Sequence, residues 1–135
     1  EMQRLVEMAE TAGVRVEVEA DDMPDEMPST VSVVAYRIIQ EALTNVIRHS
    51  TAKHASVRID QDGPRLQITV VDPGPPRPSS TVTPDGFGIA GMTGRARAVG
   101  GEVSAGPVSS GEFEVRASLP VRASLPAPAV WRVPS

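Results

Sequence analysis

The spacing of apolar side chains changes several times along the chain, and each change marks an element. Met2, Leu5, Val6, Met8 and Ala9 recur at helical spacing and stop before Gly13, which predicts a short helix over residues 1–12. Val14, Val16 and Val18 then alternate with Arg15, Glu17 and Glu19, the period-two pattern of a strand with one buried face. Residues 21–28 hold two prolines and four acids and read as a loop. Beyond Pro28, Val31, Val34, Ala35, Ile38, Ile39, Ala42 and Val46 return at three and four residues. That spacing predicts a long helix to about His49, lying with one apolar face on a sheet. Ser29 and Thr30 offer side-chain oxygens where its first turn needs acceptors.

Two further alternating runs follow. Ala55, Val57 and Ile59 point inward within residues 54–60, as do Leu66, Ile68 and Val70 within residues 65–72. Asp62-Gly63-Pro64 joins them as a hairpin. Periodicity then stops over residues 73–88, where five prolines and three glycines stand among Ser and Thr, as in a lid or an unstructured segment. Residues 89–99 read as another helix, ended by Gly100-Gly101. Residues 102–105 and 113–119 form a closing hairpin around Gly106, Pro107 and Gly111. The phrase Val115-Arg116-Ala117-Ser118-Leu119-Pro120 is repeated unchanged from Val121 to Pro126. The first copy suits a last strand. The second opens a Pro-rich appendage over residues 121–135, with Trp131 as its strongest apolar anchor. The expected organisation is one domain over residues 1–120 and an irregular tail over 121–135.

Composition narrows the function. A length of 135 residues suits one domain with its own core. A net charge of −4 and the lack of a basic stripe argue against a nucleic-acid partner. No run approaches the roughly 20 apolar residues that span a bilayer, so no direct membrane contact is expected of this stretch. The chain opens on Glu1 rather than Met, as a piece of something longer would. The absence of cysteine removes disulfides, thiolate metal sites and thiol nucleophiles, and suits a reducing cytoplasm. Lys53 is the only lysine and follows Ala52. A P-loop needs a lysine directly after its last glycine, and a protein-kinase fold needs one on a strand beneath a glycine loop. Neither exists here.

Three clusters carry possible chemistry. On the long helix Arg37, Glu41, Asn45 and Arg48 fall in one stripe beside the buried face, followed by His49. Carboxylate and carboxamide oxygens at that spacing suit a hydrated Mg2+, and the cations suit phosphate. The stripe alone also fits an amphipathic helix with an Arg37–Glu41 pair, worth roughly a few tenths of a kcal/mol. Second, Asp72-Pro73-Gly74 ends a buried strand. The carboxylate can accept from an exocyclic purine amine and the glycine can admit the ring, although a plain strand-ending turn has the same letters. Third, Gly86-Phe87-Gly88-Ile89-Ala90-Gly91-Met92 opens a helix, where backbone N–H groups can line a phosphate. A dinucleotide-binding turn shares that spacing but must follow the first strand of a βαβ unit, which this one does not.

Taken in order, these clusters resemble the catalytic and ATP-binding domain of sensor histidine kinases, within the superfamily of gyrase, the ninety-kilodalton heat-shock chaperone and the mismatch-repair ATPases. Tyr36-Arg37-Ile38-Ile39-Gln40-Glu41-Ala42-Leu43-Thr44-Asn45-Val46-Ile47-Arg48-His49 is similar to the N box of the subgroup paired with LuxR-type response regulators, such as nitrate sensors and the thermosensor DesK. Gly86 to Met92 match the second glycine box. The resemblance covers residues 14–120.

The resemblance implies an α+β fold: a two-layer α/β sandwich of the Bergerat type, a mixed sheet with helices on one face and ATP under the lid. It implies Asn45 as the Mg2+ ligand and Glu41 as the catalytic group beside the reacting phosphate. Arg48 and His49 would touch phosphates, Asp72 would read the adenine amine and Gly74 would pass the ring. Gly86, Gly88, Ile89, Gly91 and Met92 would form the phosphate-facing end of the lid, with Ser118 as a weaker adenine-side candidate. The implied cofactors are ATP and Mg2+. The implied partners are the histidine-containing dimerisation domain of the same kinase and a LuxR-type response regulator, all on the cytoplasmic side of a membrane-bound sensor. One departure from the family's Asp-x-Gly-x-Gly is Pro76 in place of the second glycine, which fixes φ, removes a donor and implies that this half of the lid is stiffer or holds nucleotide less well. The alternatives are a serine kinase of the anti-sigma-factor type and a degenerate nucleotide-binding module.

Overall fold

The computed structural model describes residues 2–21, 26–74, 88–108 and 111–121. Eight elements follow in order: α1 (Met2–Thr11), β1 (Arg15–Asp21), α2 (Ser29–His49), β2 (His54–Asp62), β3 (Arg65–Asp72), α3 (Ile89–Ala98), β4 (Glu102–Pro107) and β5 (Phe113–Pro120). The strands form one mixed sheet in the order β1-β2-β3-β5-β4. β1 and β2 are parallel, joined through α2, and the other pairs are antiparallel. This is an α+β fold.

Period-two alternation builds the two layers. Ala55, Val57 and Ile59 of β2, Leu66, Ile68 and Val70 of β3, and Val115, Ala117 and Leu119 of β5 are buried on one face. That face meets the apolar stripe of α2, from Val31 through Ile38 and Leu43 to Val46. α2 lies across β2, β3 and β5, α3 covers β4 and β5, and α1 packs on α2 and β1. The opposite parity carries charge, with Arg58 paired to Asp60 and Glu19, and Arg116 to Glu114. Exposed pairs of this kind add little stability. They mark the face that none of the described helices covers. No helix among the described residues is long and apolar enough to cross a membrane.

The structure corrects several local expectations. Pro28, not Ser29 or Thr30, is the N-cap of α2, and no side chain caps it. The fixed φ of proline starts the helix, and Val31 and Ser32 donate their N–H groups to the Pro28 carbonyl. Val18 is 38% exposed, whereas Val14 and Val16 are buried. Its strand lies at the sheet's edge, and α1 covers only the strand's beginning. Asp21 belongs to β1 rather than to the loop, and residues 22–25 lie outside the described part. β2 runs on to Asp62, leaving Gly63-Pro64 as the hairpin's turn, with Gly63 at φ +61°. β4 includes Gly106 and Pro107, which pair with Glu114 and Phe113. Val121 is part of the core at 5% exposure, and its N–H donates to the Pro64 carbonyl at 2.8 Å. Val121, the first residue of the expected tail, therefore belongs to the described core. Residues 122–135 and most of the expected lid, residues 75–87, lie outside the described part.

Candidate functional site

β3 delivers Asp72 to the end of the sheet on the side covered by α2, because Asp72 has the same parity as Leu66, Ile68 and Val70. Opposite, Ala42, Asn45, Val46 and His49 come from one face of α2. With Val70, Asp72, Phe113 and Val115 they line a narrow cleft between helix and sheet. Asp72 is 7% exposed and Asn45 5%. Two buried polar side chains facing a cleft whose other walls, His49 apart, are apolar are expensive unless hydrogen-bonded, so they are the informative feature of this surface.

Asp72 is held by two donors. The Ser50 hydroxyl donates to Oδ1 at 2.7 Å, and the Gly74 N–H donates to the same oxygen at 3.1 Å. Burial nonetheless dominates and raises the Asp72 carboxyl above its ordinary range, against the lowering effect of both hydrogen bonds. Ser50 is 1% exposed and closes the C-terminus of α2, its own N–H bonded to the Val46 carbonyl. Its oxygen accepts from Ala52 N–H at 3.0 Å, which ties the end of the helix to the following loop. Gly74 approaches that loop closely. A Cβ on residue 74 would lie 2.9 Å from Ala52 Cβ and 3.2 Å from its backbone nitrogen. The missing side chain at residue 74 thus makes room first for residues 51–52.

Glu41 stands one turn before Asn45 and is half-buried. Its carboxylate lies against Gly88, the N-cap of α3, which adopts φ +68°. The Arg37–Glu41 pair of the plain amphipathic alternative is not among the ion pairs of the described residues. A carboxylate at a helix N-terminus is favoured by the N–H groups pointing out of it. α2 and α3 therefore meet where Glu41 projects.

The expected site residues separate into three groups. Asn45, His49, Asp72 and Gly74 gather at the cleft, and Glu41 with Gly88 forms its α3 side. Arg48 is exposed on α2 outside the cleft lining, and Gly91 is exposed on the first turn of α3 beneath the Arg95 guanidinium. Ile89 packs against the core, and Met92 is wholly buried in it, so both seat α3. Gly86 lies outside the described residues. Ser118 is not at the site: it pairs with Gln67, about five residues or roughly 17 Å along β3 from Asp72. Its hydroxyl is engaged by Arg65 Nε at 2.6 Å and Gln67 Nε2 at 3.2 Å.

Ser50 is the site residue that sequence reasoning missed. The available signal was Asp72 itself. Its inward parity on β3 required donors, and the hydroxyl directly after the long helix is one.

The chemistry of this donor set fits an adenine nucleotide with Mg2+. A buried carboxylate beside a glycine suits an amine donor, and the carboxamide of Asn45 lies across the cleft from it. No group of three or more His, Cys, Asp or Glu among the described residues is arranged to hold a metal alone. A Mg2+ at Asn45 would therefore take its remaining ligands from phosphate oxygens and water.

Comparison with known proteins bears on the family and the fold. The sequence profile of histidine kinase-, DNA gyrase B- and HSP90-like ATPases matches residues 30–123. The sensor histidine kinase YxjM of Bacillus subtilis is 37% identical over 116 residues, which cover 85% of this chain and 28% of that protein. The sensor histidine kinase LiaS of the same organism is 27% identical over 78% of this chain and 29% of its own length. The chain thus spans under a third of these relatives. Among solved structures, the blue-light activated histidine kinase of Erythrobacter litoralis superposes with a TM-score of 0.70 at 19% identity, over 89% of this chain and 40% of that one. The catalytic domain of histidine kinase ThkA, free of nucleotide, gives 0.64 at 13% identity, over 90% of this chain and 94% of that one. Likeness at this identity establishes a shared fold.

Proposed function

Because the chain belongs to the family of histidine kinase-, DNA gyrase B- and HSP90-like ATPases, we propose that it is the ATP-binding catalytic domain of a two-component sensor histidine kinase. It binds Mg-ATP in the cleft between α2 and β3 and delivers the γ-phosphoryl group to a histidine on a separate dimerisation domain. From there the phosphoryl passes to a response regulator, of the LuxR type by the resemblance of residues 36–49. The work takes place on the cytoplasmic side.

The observation that carries this reading is the buried Asp72 carboxylate, fixed by Ser50 and Gly74 and facing Asn45 across the cleft. Asp72 accepts from the base, and the apolar walls formed by Ala42, Val46, Val70 and Val115 exclude water around the ring. Asn45 would hold Mg2+, whose charge neutralises the phosphates on transfer. Glu41 stands beside the N-terminus of α3, where it can orient the incoming nucleophile or take its proton. Arg48 and His49 supply positive charge toward the phosphates, Arg48 from the exposed side of α2.

Calorimetry with ATP in the presence and absence of Mg2+ tests binding, and labelling from radioactive ATP with an added dimerisation domain tests transfer. The expected product is an acid-labile phosphate on that domain. An acid-stable phosphoserine on a partner would move the assignment to a serine kinase of the anti-sigma-factor type. Failure to bind any nucleotide would leave only the fold.

A further inference from the structure

We propose that Ser50 is a positioning residue that sets the purine preference of the cleft, by holding Asp72 so that its second carboxylate oxygen is presented to the 6-amino group of the base. The inference rests on the reading of the cleft as an adenine-nucleotide site and adds a residue to it.

A serine hydroxyl has one proton to give and rotates to suit its neighbours. At Ser50 that rotation is constrained. Ala52 N–H occupies the hydroxyl as acceptor at 3.0 Å, and the proton goes to Asp72 Oδ1 at 2.7 Å. The side chain is 1% exposed, so water does not compete for it. Gly74 N–H adds a second donor to the same oxygen at 3.1 Å. Ser50 and Gly74 both address Oδ1, and Asp72 lines the cleft. Oδ1 is therefore committed to the protein and Oδ2 remains for what enters.

This asymmetry reads the base. An oxygen without a proton accepts from the amine of adenine and repels the carbonyl that guanine carries at the same position. With Ser50 removed, Oδ1 keeps the longer bond from Gly74 N–H but loses the shorter one, and the carboxylate can swing about its terminal torsion, which is broad for aspartate. Nucleotide would still bind through its phosphates and apolar contacts, but the amine would be recognised less well.

The test compares ATP, GTP and purine riboside triphosphate, which lacks the 6-amino group, on the parent chain and on Ser50→Ala, Ser50→Cys and Ser50→Thr. Cysteine keeps the shape with a weak donor, and threonine keeps the hydroxyl. The parent is expected to prefer ATP over the amine-free analogue. In Ser50→Ala and Ser50→Cys that ratio should fall about tenfold, with affinity for the analogue changed less than about twofold, and Ser50→Thr should restore it. Equal losses for all three nucleotides, or an unchanged ratio, would overturn the role of Ser50 while leaving the ATP site intact. Should the parent bind no nucleotide at all, the site assignment falls and this inference with it. Circular dichroism of each variant separates these outcomes from misfolding, and Ser50→Cys keeps the test open if Ser50→Ala fails to fold.

Discussion

The backbone of Gly88 lies directly beneath the carboxylate of Glu41: a Cβ on residue 88 would sit 2.7 Å from the carboxyl carbon and from one of its oxygens. Gly88 also adopts φ +68°, in the left-handed region that costs other residues about 1–2 kcal/mol. The two features are separable. Gly88→Ala is expected to lower stability by about that amount in urea denaturation, and Glu41→Ala should not restore it, because the cost lies in the backbone. The overlap itself displaces only the flexible end of Glu41. Phosphoryl transfer in the presence of a dimerisation domain should therefore fall further than the loss of stability explains. Full rescue of stability by Glu41→Ala would show that the overlap, not φ, sets the cost.

Gly74 shows the opposite balance. Its missing Cβ leaves room for Ala52 Cβ at 2.9 Å and Ala52 N at 3.2 Å, and a loop backbone yields less readily than a side-chain tip. Gly74→Ala is expected to cost about 1–3 kcal/mol by overpacking and to displace the N–H that holds Asp72. Ala52→Gly in the same chain should recover part of the stability by removing the nearer atom. No recovery in the double variant would place the strain elsewhere.

The pH dependence of the fold should carry the signature of Asp72. Its carboxyl is raised because burial penalises the charged form more than Ser50 and Gly74 favour it. A carboxyl whose folded value lies above its unfolded value of 3.8 contributes stability that is full below 3.8 and is lost as pH rises through the folded value. At neutral pH the charged Asp72 is thus a net cost to the ligand-free fold. Asp72→Asn preserves the acceptor for both donors and removes the charge. The variant's melting temperature should gain on the parent's as pH is raised from about 3.5 to 7, while its affinity for ATP falls. A parent–variant difference independent of pH would mean that Asp72 titrates normally.

Much of this was legible because α2 and the central strands obey simple periods. Val31 to Val46 outline the helix, and the inward residues of β2 and β3 are those that alternation selects. What escaped depends on contacts between distant segments. Val18 has the parity of a core residue, but its exposure follows from β1 being an edge strand that α1 covers only in part. Ser50 reads as linker, yet it becomes one of the most buried residues because β3 brings Asp72 to it from 22 positions away. Val121 reads as the first residue of a repeat and is instead a core residue, placed by its bond to Pro64. The repeat's identical letters conceal the role of Val121, because the residues after it lie outside the described part.

Metal dependence should single out Asn45. It is buried on α2 opposite Asp72, and a carboxamide is a weak ligand that works beside phosphate oxygens rather than alone. Asn45→Ala is expected to weaken Mg-ATP at least about tenfold while changing metal-free ATP much less. Chelation of Mg2+ should make the parent resemble the variant. Equal losses with and without metal would assign Asn45 to the fold instead.

The isolated chain should bind ATP yet not label itself. Phosphoryl transfer requires a nucleophile in line with the γ-phosphorus at about 3 Å, together with neutralisation of the phosphate charge. The sequence holds two histidines. His49 lines the cleft from α2, beside the position assigned to the nucleotide rather than beyond its terminal phosphate. His54 starts β2 on the polar face of the sheet, with Nε2 3.6 Å from Glu17. That face is opposite the one from which Asp72 enters the cleft, because His54 and Asp72 have opposite parity in the paired strands. Neither histidine can reach the line of attack without rebuilding its element. Radioactive ATP should therefore leave no phosphate on this chain alone, and adding a dimerisation domain with its own histidine should produce acid-labile label on that domain. Glu41→Gln should slow the labelling while preserving nucleotide affinity, because the role proposed for its carboxylate is at the transferring end rather than at the base. Acid-labile phosphate appearing on the isolated chain, and lost in His49→Ala or His54→Ala, would show that the acceptor lies within the domain.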